Sequence, residues 1–369
     1  MKWSEADYRF MARALQLARL GLYTTHPNPR VGCVLVRNDH ILAEGWHVRA
    51  GKPHAEIHAL QAAGTEARGA DCYVTLEPCS HMGRTPPCTV ALISGGVRRV
   101  IAATIDPNPQ VAENGIGALH QAGIVTDTGL LQDEARALNP GFEMRMRYGR
   151  PYLRTKLAMS LDGRTALANG RSQWITGDNA RWDVQRLRAQ SSAIMTGIGT
   201  VLADDPRLTV RDVDTGGRQP LRIVIDPELK IPRGAQLLKE PGRTLVFTLS
   251  NNEEKKAAFT SSPVSIITLP ATDRDSMIHP VLDYLARHEE VNEVLVEAGS
   301  VLNGVLLQAG LVDEVVIYMA PHILGQDARS LFHIPAIEEI SKRVELKFED
   351  IRMVGKDMRI TLKPVKHEA

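Results

Sequence analysis

Two short segments, PHAEIHAL at 53–60 and EPCSHMGRTPPC at 77–88, constrain this chain more than any other stretch. Each follows an extended run and precedes an apolar helical one, which predicts His54 and Cys79 near helix N-termini. The positive end of a helix dipole favours a thiolate at such a place. Between Cys79 and Cys88 lie a histidine, an arginine, a glycine and two prolines. A disulfide, a metal and plain packing are the three ways to hold this loop.

Composition removes the first. Four cysteines in 369 residues make a poor disulfide framework. The N-terminal MKWSEADYRFMARALQLARL carries acids and arginines where a signal peptide needs an unbroken apolar run, and no stretch approaches a membrane span. A cytoplasmic location, where thiols stay reduced, is expected. A hydrophobic content of 43% supports real cores, and a net charge of +1 argues against a surface built for nucleic acid or anionic lipid. Neither nucleic acid nor membrane is expected as a partner.

One histidine and two thiolates make three zinc ligands: His54, Cys79 and Cys88. A fourth position left to water is the arrangement of a catalytic zinc site. Glu56, two residues past His54, then has a use. A carboxylate beside the metal's water can take its proton and deliver it to a leaving group. The alternative is a structural zinc closed by a fourth ligand, for which His58 stands one helical turn away. Cys33 and Cys72 lie within apolar strands and read as packing thiols.

Along the chain, Ser4 and Asp7 mark a helix start, and Met11, Ala14, Leu15, Ala18 and Leu22 share one face. VGCVLVR (31–37), Asn38-Asp39 and HILAEGW (40–46) predict a β-hairpin. A helix from about His54 to Ala63, a strand at 71–77, a short helix near 88–94, a strand at 98–104, a helix near 113–122 and a strand around 124–129 follow. Strands alternating with helices predict a mixed α/β sheet covered on both faces. The segment NPGFEMRMRYGRP (139–151) breaks that rhythm, so the domain boundary is placed near Gly149, giving domains 1–149 and 150–369. Further strands are expected at 152–160, 193–197, 221–226, 244–249, 291–299 and 313–321, with surface loops and helices over 250–290. No internal repeat or low-complexity tract is present.

In the second half, GIGTVLADDPRLTVR (197–211) fails the strict G-x-G-x-x-G fingerprint, because Leu202 stands where a glycine is needed. VEAGSVLNGVLLQAG (296–310) ends a strand in Ala-Gly-Ser and opens a helix, whose free amides and dipole suit an anion. Arg188 and Arg211 are suited to clamp a phosphate, or are ordinary surface arginines. Glu297 ends a strand beside this turn and could hold sugar hydroxyls. Trp174 reads equally as core, Lys156 lies on a strand facing the region, and Asp162-Gly163 is a turn signal first.

The H-x-E plus P-C…C pattern is the zinc-deaminase signature. VGCVLV, EGWH, HAEIHAL and YVTLEPC resemble the cytidine-deaminase-like superfamily. Where that signature has two residues between its cysteines, this chain has eight. HPNPRVG (26–32), TLEPCSHMGRTPPC and DPNPQV (106–111) resemble the riboflavin-pathway pyrimidine deaminase over most of residues 8–140. The resemblance implies a three-layer α/β/α domain and a substrate-reading loop, with His81, Arg84 and Asn28 facing the nucleotide. KLAMSLDGRTA, SQWITG, RAQSSAIMTGIGTVLADDPRLTVR, RIVID and VEAGSVLNG resemble the reductase domain of the bifunctional riboflavin-biosynthesis proteins, which has a dihydrofolate-reductase-like α/β fold.

That resemblance implies NADPH contacts at Ala158, Trp174, Thr200, Asp204 and the 299–305 turn: Gly299, Ser300, Val301, Leu302, Asn303, Gly304 and Val305. It implies substrate contacts at Ser172, Arg188, Leu208, Arg211 and Glu297. A small phosphoribosyl-pyrimidine substrate, one Zn2+ in the first domain, NADPH in the second and a homo-oligomer, a dimer first, are expected. Two rivals stand beside this reading. A tRNA or nucleobase deaminase shares VGCVLV, HAEIHAL and TLEPC but lacks the cysteine loop and the second domain. A zinc-stabilised binding module would release no ammonia from any pyrimidine.

Overall fold

The computed structural model describes residues 2–82, 86–109, 111–259 and 264–365. The chain divides into two compact units, Met1–Arg150 and Pro151–Ala369.

The first unit runs α1 (Glu5–Ala18), β1 (Gly32–Arg37), β2 (His40–Trp46), α2 (Ala55–Ala63), β3 (Asp71–Val74), α3 (Cys88–Gly95), β4 (Arg99–Ala102), α4 (Asn114–Gln121), β5 (Val125–Thr128), α5 (Gln132–Leu138) and α6 (Pro140–Tyr148). The sheet order is β2-β1-β3-β4-β5. β1 is antiparallel to β2 and β3, whereas β3, β4 and β5 are parallel, so the sheet is mixed as expected. Asn38 and Asp39 both take positive φ, the geometry that closes a two-residue hairpin. Ser4 and Asp7 form a reciprocal capping box on α1. Strand alternation places Cys33, Leu35, Cys72, Val74, Val100 and Ala102 in the core on one face. Val34, Val36, Tyr73, Ile101 and Ala103 enter the core on the other. Both faces are therefore covered. The expected break at 139–151 is instead α6: Pro140 sits at its first turn, where its missing N–H costs nothing, and Gly149 ends it in left-handed backbone.

The second unit runs β6 (Tyr152–Ser160), β7 (Arg164–Ala166), α7 (Asp178–Gln190), β8 (Ala193–Gly197), α8 (Ile198–Asp204), β9 (Leu221–Ile225), α9 (Gln236–Lys239), β10 (Thr244–Thr248) and α10 (Glu253–Ala257). It continues with β11 (Val264–Thr268), α11 (Ile278–His288), β12 (Glu293–Val296), α12 (Ser300–Gln308), β13 (Glu314–Ala320), β14 (Arg329–Ser330), β15 (Leu346–Val354) and β16 (Asp357–Pro364). Its sheet order is β11-β10-β9-β8-β12-β6-β13-β16-β15, and β14 pairs with β7 separately. Strands β11 through β13 are parallel, and β16 and β15 close one end antiparallel. The 250–290 stretch is more than surface. It contains β11 and α11, whose Ile278, Val281, Leu282 and Leu285 enter the main core. Loops at the C-terminal ends of parallel strands are where such sheets bind ligands.

Candidate active sites

In the first unit, Gly45 of β2 lets the first turn of α2 lie directly on the sheet. A Cβ at Gly45 would stand 2.2 Å from the Ala55 carbonyl oxygen. Ala55 and Ala59 pack fully buried in the same core. This contact fixes His54, the N-cap of α2, and Glu56 in its first turn. From the other side, α3 begins at Cys88, whose backbone N–H points at the Cys79 sulfur 3.4 Å away. The Thr89 N–H donates to the Cys79 carbonyl at 3.2 Å.

The ligand atoms of His54, Cys79 and Cys88 all lie within 4.8 Å of one another, the one such cluster among the described residues. His54 Nδ1 is 3.2 Å from the Cys88 sulfur and 3.6 Å from that of Cys79. A hydrogen bond from Cys88, with help from His54, holds the Cys79 thiol down at about 4, and its interaction with Cys79 and burial hold Cys88 well up. Two sulfurs and an imidazole nitrogen at this spacing suit zinc's preferred donors. His58 is not part of the cluster; its Nε2 is buried without a hydrogen bond. Glu56 is buried, and burial pushes its carboxyl up against the opposing pull of His54. Cys33 and Cys72 are fully buried packing thiols 3.5 Å apart.

His81 is exposed on the metal loop, and Arg84 lies outside the described residues. The Asn28 side-chain amide is 3.0 Å from His47 Nε2. The His47 ring meets that of His54 edge-on at 5.3 Å, so Asn28 joins the site through His47. Burial drives His47 down to about 4, which keeps it neutral. His47 was legible only as part of EGWH, because one histidine ending a strand carries no spacing signal. Asp106 was likewise hidden in DPNPQV; burial raises it to about 6, partly opposed by the Asn108 amide and by His81.

In the second unit, a cleft of about 1040 Å³ opens along the ends of β6, β8, β9 and β12. It is lined by Ala158, Ser172, Trp174, Arg188, Thr200, Asp204, Leu208, Arg211, Glu297, Gly299, Ser300, Val301, Leu302 and Val305. Asn303 and Gly304 are not in the lining. The Asn303 amide donates to the Ala298 carbonyl at 2.8 Å, and a Cβ at Gly304 would stand 2.1 Å from the His333 carbonyl. Both face the packed side of α12, because one helix cannot turn seven consecutive residues to a single face.

Trp174 is 70% exposed and carries Arg181 over its ring, so it is not core. Ser172 Oγ donates to Asp204 at 3.2 Å, and the Gly299 N–H donates to Thr200 Oγ1 at 3.2 Å. Arg188 departs from its expected phosphate clamp. Its fork is taken by Glu297, with contacts of 2.6 and 2.9 Å, and its third arm donates to the Thr209 carbonyl at 2.9 Å. Arg211 is exposed at the same end. Burial pushes the Glu297 carboxyl up, and Arg188, Lys156 and Arg211 more than offset it. Burial holds the Lys156 ammonium below its ordinary value. Asp226, the last residue of RIVID, lines the β9 end, as do Lys230 and Arg274, which no motif marked.

A His–Cys–Cys cluster beside a buried glutamate, followed by a dinucleotide-sized cleft in an α/β unit, defines a two-domain deaminase–reductase. Residues 4–104 match the cytidine and deoxycytidylate deaminase zinc-binding region, and residues 151–360 match the RibD C-terminal domain. The riboflavin biosynthesis protein RibD of Escherichia coli K12 is 50% identical over 96% of this chain and 99% of that protein. The structure of Acinetobacter baumannii RibD superposes with a TM-score of 0.91 at 42% identity, covering 98% of this chain and 99% of that one. A Thermotoga maritima structure, described as a diaminohydroxyphosphoribosylaminopyrimidine deaminase/5-amino-6-(5-phosphoribosylamino)uracil reductase, gives 0.85 at 32% identity over 98% and 99% of the two chains. The chain belongs to the RibD family: it is a bifunctional riboflavin-biosynthesis enzyme with a deaminase and a reductase domain. No helix among the described residues is long and apolar enough to cross a membrane.

Proposed function

We propose that the first domain hydrolytically deaminates 2,5-diamino-6-(5-phosphoribosylamino)pyrimidin-4(3H)-one and that the second reduces the ribosyl group of the product with NADPH. The functional division falls at Gly149–Pro151. The observation that carries the reading is the convergence of His54, Cys79 and Cys88 within 4.8 Å, beside the buried Glu56.

His54, Cys79 and Cys88 would hold Zn2+, which when bound supplies the activation of water that hydrolytic deamination needs. Glu56 moves the protons. Its raised carboxyl both accepts a proton from the attacking water and returns one to the departing amine, a role that a fully exposed carboxylate fills less well. His47, neutral and hydrogen-bonded to Asn28, orients the pyrimidine with His81 and Arg84. In the second domain, NADPH when bound supplies the hydride. The 300–302 amides at the start of α12 face the cofactor's phosphates, with Gly299, Thr200, Asp204, Ala158 and Trp174 around them. Arg211 takes the substrate phosphate with Ser172 and Leu208, while Glu297, held by Arg188, meets the sugar hydroxyls.

The location is cytoplasmic. A homodimer is supported by β15, an edge strand that exposes Phe348, Ile351 and Met353. The test is a coupled assay of the zinc-loaded chain with the diaminopyrimidine nucleotide. Ammonia release should precede NADPH oxidation, and Glu56→Gln should keep zinc while losing ammonia release by orders of magnitude. Normal deamination by that variant, or NADPH oxidation without prior ammonia release, overturns the reading.

A further inference from the structure

Glu77 stands two residues before Cys79, is 3% exposed and has no part in the chemistry above. Its carboxylate accepts four backbone N–H bonds, all from one distant segment. Oε1 takes Gly115 at 2.8 Å and Ile116 at 3.1 Å. Oε2 takes Asp106 and Glu113, each at 3.1 Å. Three of these donors belong to the start of α4, whose own N-cap, Glu113, supplies no side-chain bond. Glu77 caps that helix from across the domain. The joint is tight as well: a Cβ at Gly115 would stand 2.0 Å from the Pro78 carbonyl oxygen, so only glycine fits there.

The metal-bearing turn has separate support, since Cys79 is tied to α3 through the Cys88 and Thr89 amides. What Glu77 adds is the placement of Asp106 and of the start of α4 against the turn that carries Pro78 and Cys79. We infer that Glu77 is a positioning residue, fixing Asp106 and the start of α4 to the metal-bearing turn and so setting the wall of the deaminase site beside that turn. The inference rests on the proposed reading of the first domain as a deaminase.

A carboxylate is needed because four N–H groups converge on two oxygens. Glutamine keeps one oxygen and turns an NH2 group toward two of the donors. In the full-length, zinc-loaded chain, Glu77→Gln should raise KM for deamination about tenfold or more and change kcat less than about threefold. Zinc content should stay unchanged, which reports that the first domain has folded, and so should the reductase turnover of the same molecules. Amide exchange at 106, 113, 115 and 116 should quicken. Gly115→Ala, which opens the joint with Glu77 intact, should give the same KM-led change. A fall in kcat at constant KM, loss of zinc from both variants, or unaltered exchange at the four amides overturns the role. Amide exchange needs no substrate, so it decides Glu77's role even if the parent chain does not deaminate this nucleotide.

Discussion

Arg188 and Arg211 line the same cleft, yet their surroundings give them different work. Arg188 is mostly covered at the cleft wall, paired with Glu297, and removing one member of such a pair strands the other charge. Arg188→Ala should therefore destabilise the second domain by about 3 kcal/mol in denaturant unfolding. Arg211→Ala should change stability by less than about 0.5 kcal/mol. That variant should instead raise KM for the phosphorylated reductase substrate strongly, with little further effect on a dephosphorylated one, while deamination and zinc content stay intact. Independent effects of the mutation and of phosphate removal would take the phosphate away from Arg211. Asp106 offers a pH test. Its folded pKa of about 6 lies above the ordinary carboxyl value, so the fold favours its protonated form. The stabilisation is full below about pH 4 and is lost as pH rises through 6, on the order of 3 kcal/mol. His47, held down to about 4, slopes the other way in the same window, so the Asp106 contribution is read as the difference in first-domain unfolding between the parent and Asp106→Asn from pH 4 to 7.

The start of α7 shows how one element shapes the reductase cleft. Residues 172–176 line the cleft and run straight into Gly177, whose N–H donates to the fully buried Asp357 carboxylate at 2.7 Å. Farther along, Val184 and Leu187 anchor the helix against Leu295, Val316 and Tyr318. The helix body is thus held by apolar packing and its first turn by a carboxylate from β16. Asp357→Ala should cost about 1 kcal/mol, the usual loss of an N-terminal cap. It should also weaken NADPH binding several-fold by calorimetry, because Ser172 and Trp174 lose their fixed approach. Deamination should not change. Equal NADPH affinity in parent and variant would separate α7 from cofactor binding.

At the scale of the whole molecule, each unit owns its core: Cys33, Val74, Leu92 and Val100 in one, Leu153, Met195, Phe247 and Val294 in the other. Chelation of zinc should therefore abolish ammonia release and leave reduction of supplied deaminated intermediate intact. A folded fragment of residues 151–369 that cannot reduce that intermediate would show the two activities to be interdependent. The exposed β15 edge belongs at this scale as well. Phe348→Glu with Met353→Glu should lower the molar mass measured by light scattering; an unchanged mass would place any self-association elsewhere.

The elements and ligands readable from sequence were those fixed by local chemistry. The hairpin followed from Asn38-Asp39, α1 from Ser4 and Asp7, and β6 and β8 from their apolar runs. The convergence of His54, Cys79 and Cys88 beside Glu56 was legible because the H-x-E and P-C…C segments are short local patterns. Partnership across the chain was not legible. Arg188 looked like a phosphate clamp until Glu297, 109 residues away, was found to occupy its fork. Asn303 and Gly304 sat in the right turn but on the packed face of α12. His47 and Glu77 lay inside the motifs EGWH and YVTLEPC without a readable role, since a neutral imidazole and a buried carboxylate are defined by what folds around them. Periodicity and capping are written within a few residues of sequence. Burial, and the choice of partner for a buried charge, exist only once distant strands and helices have closed over it.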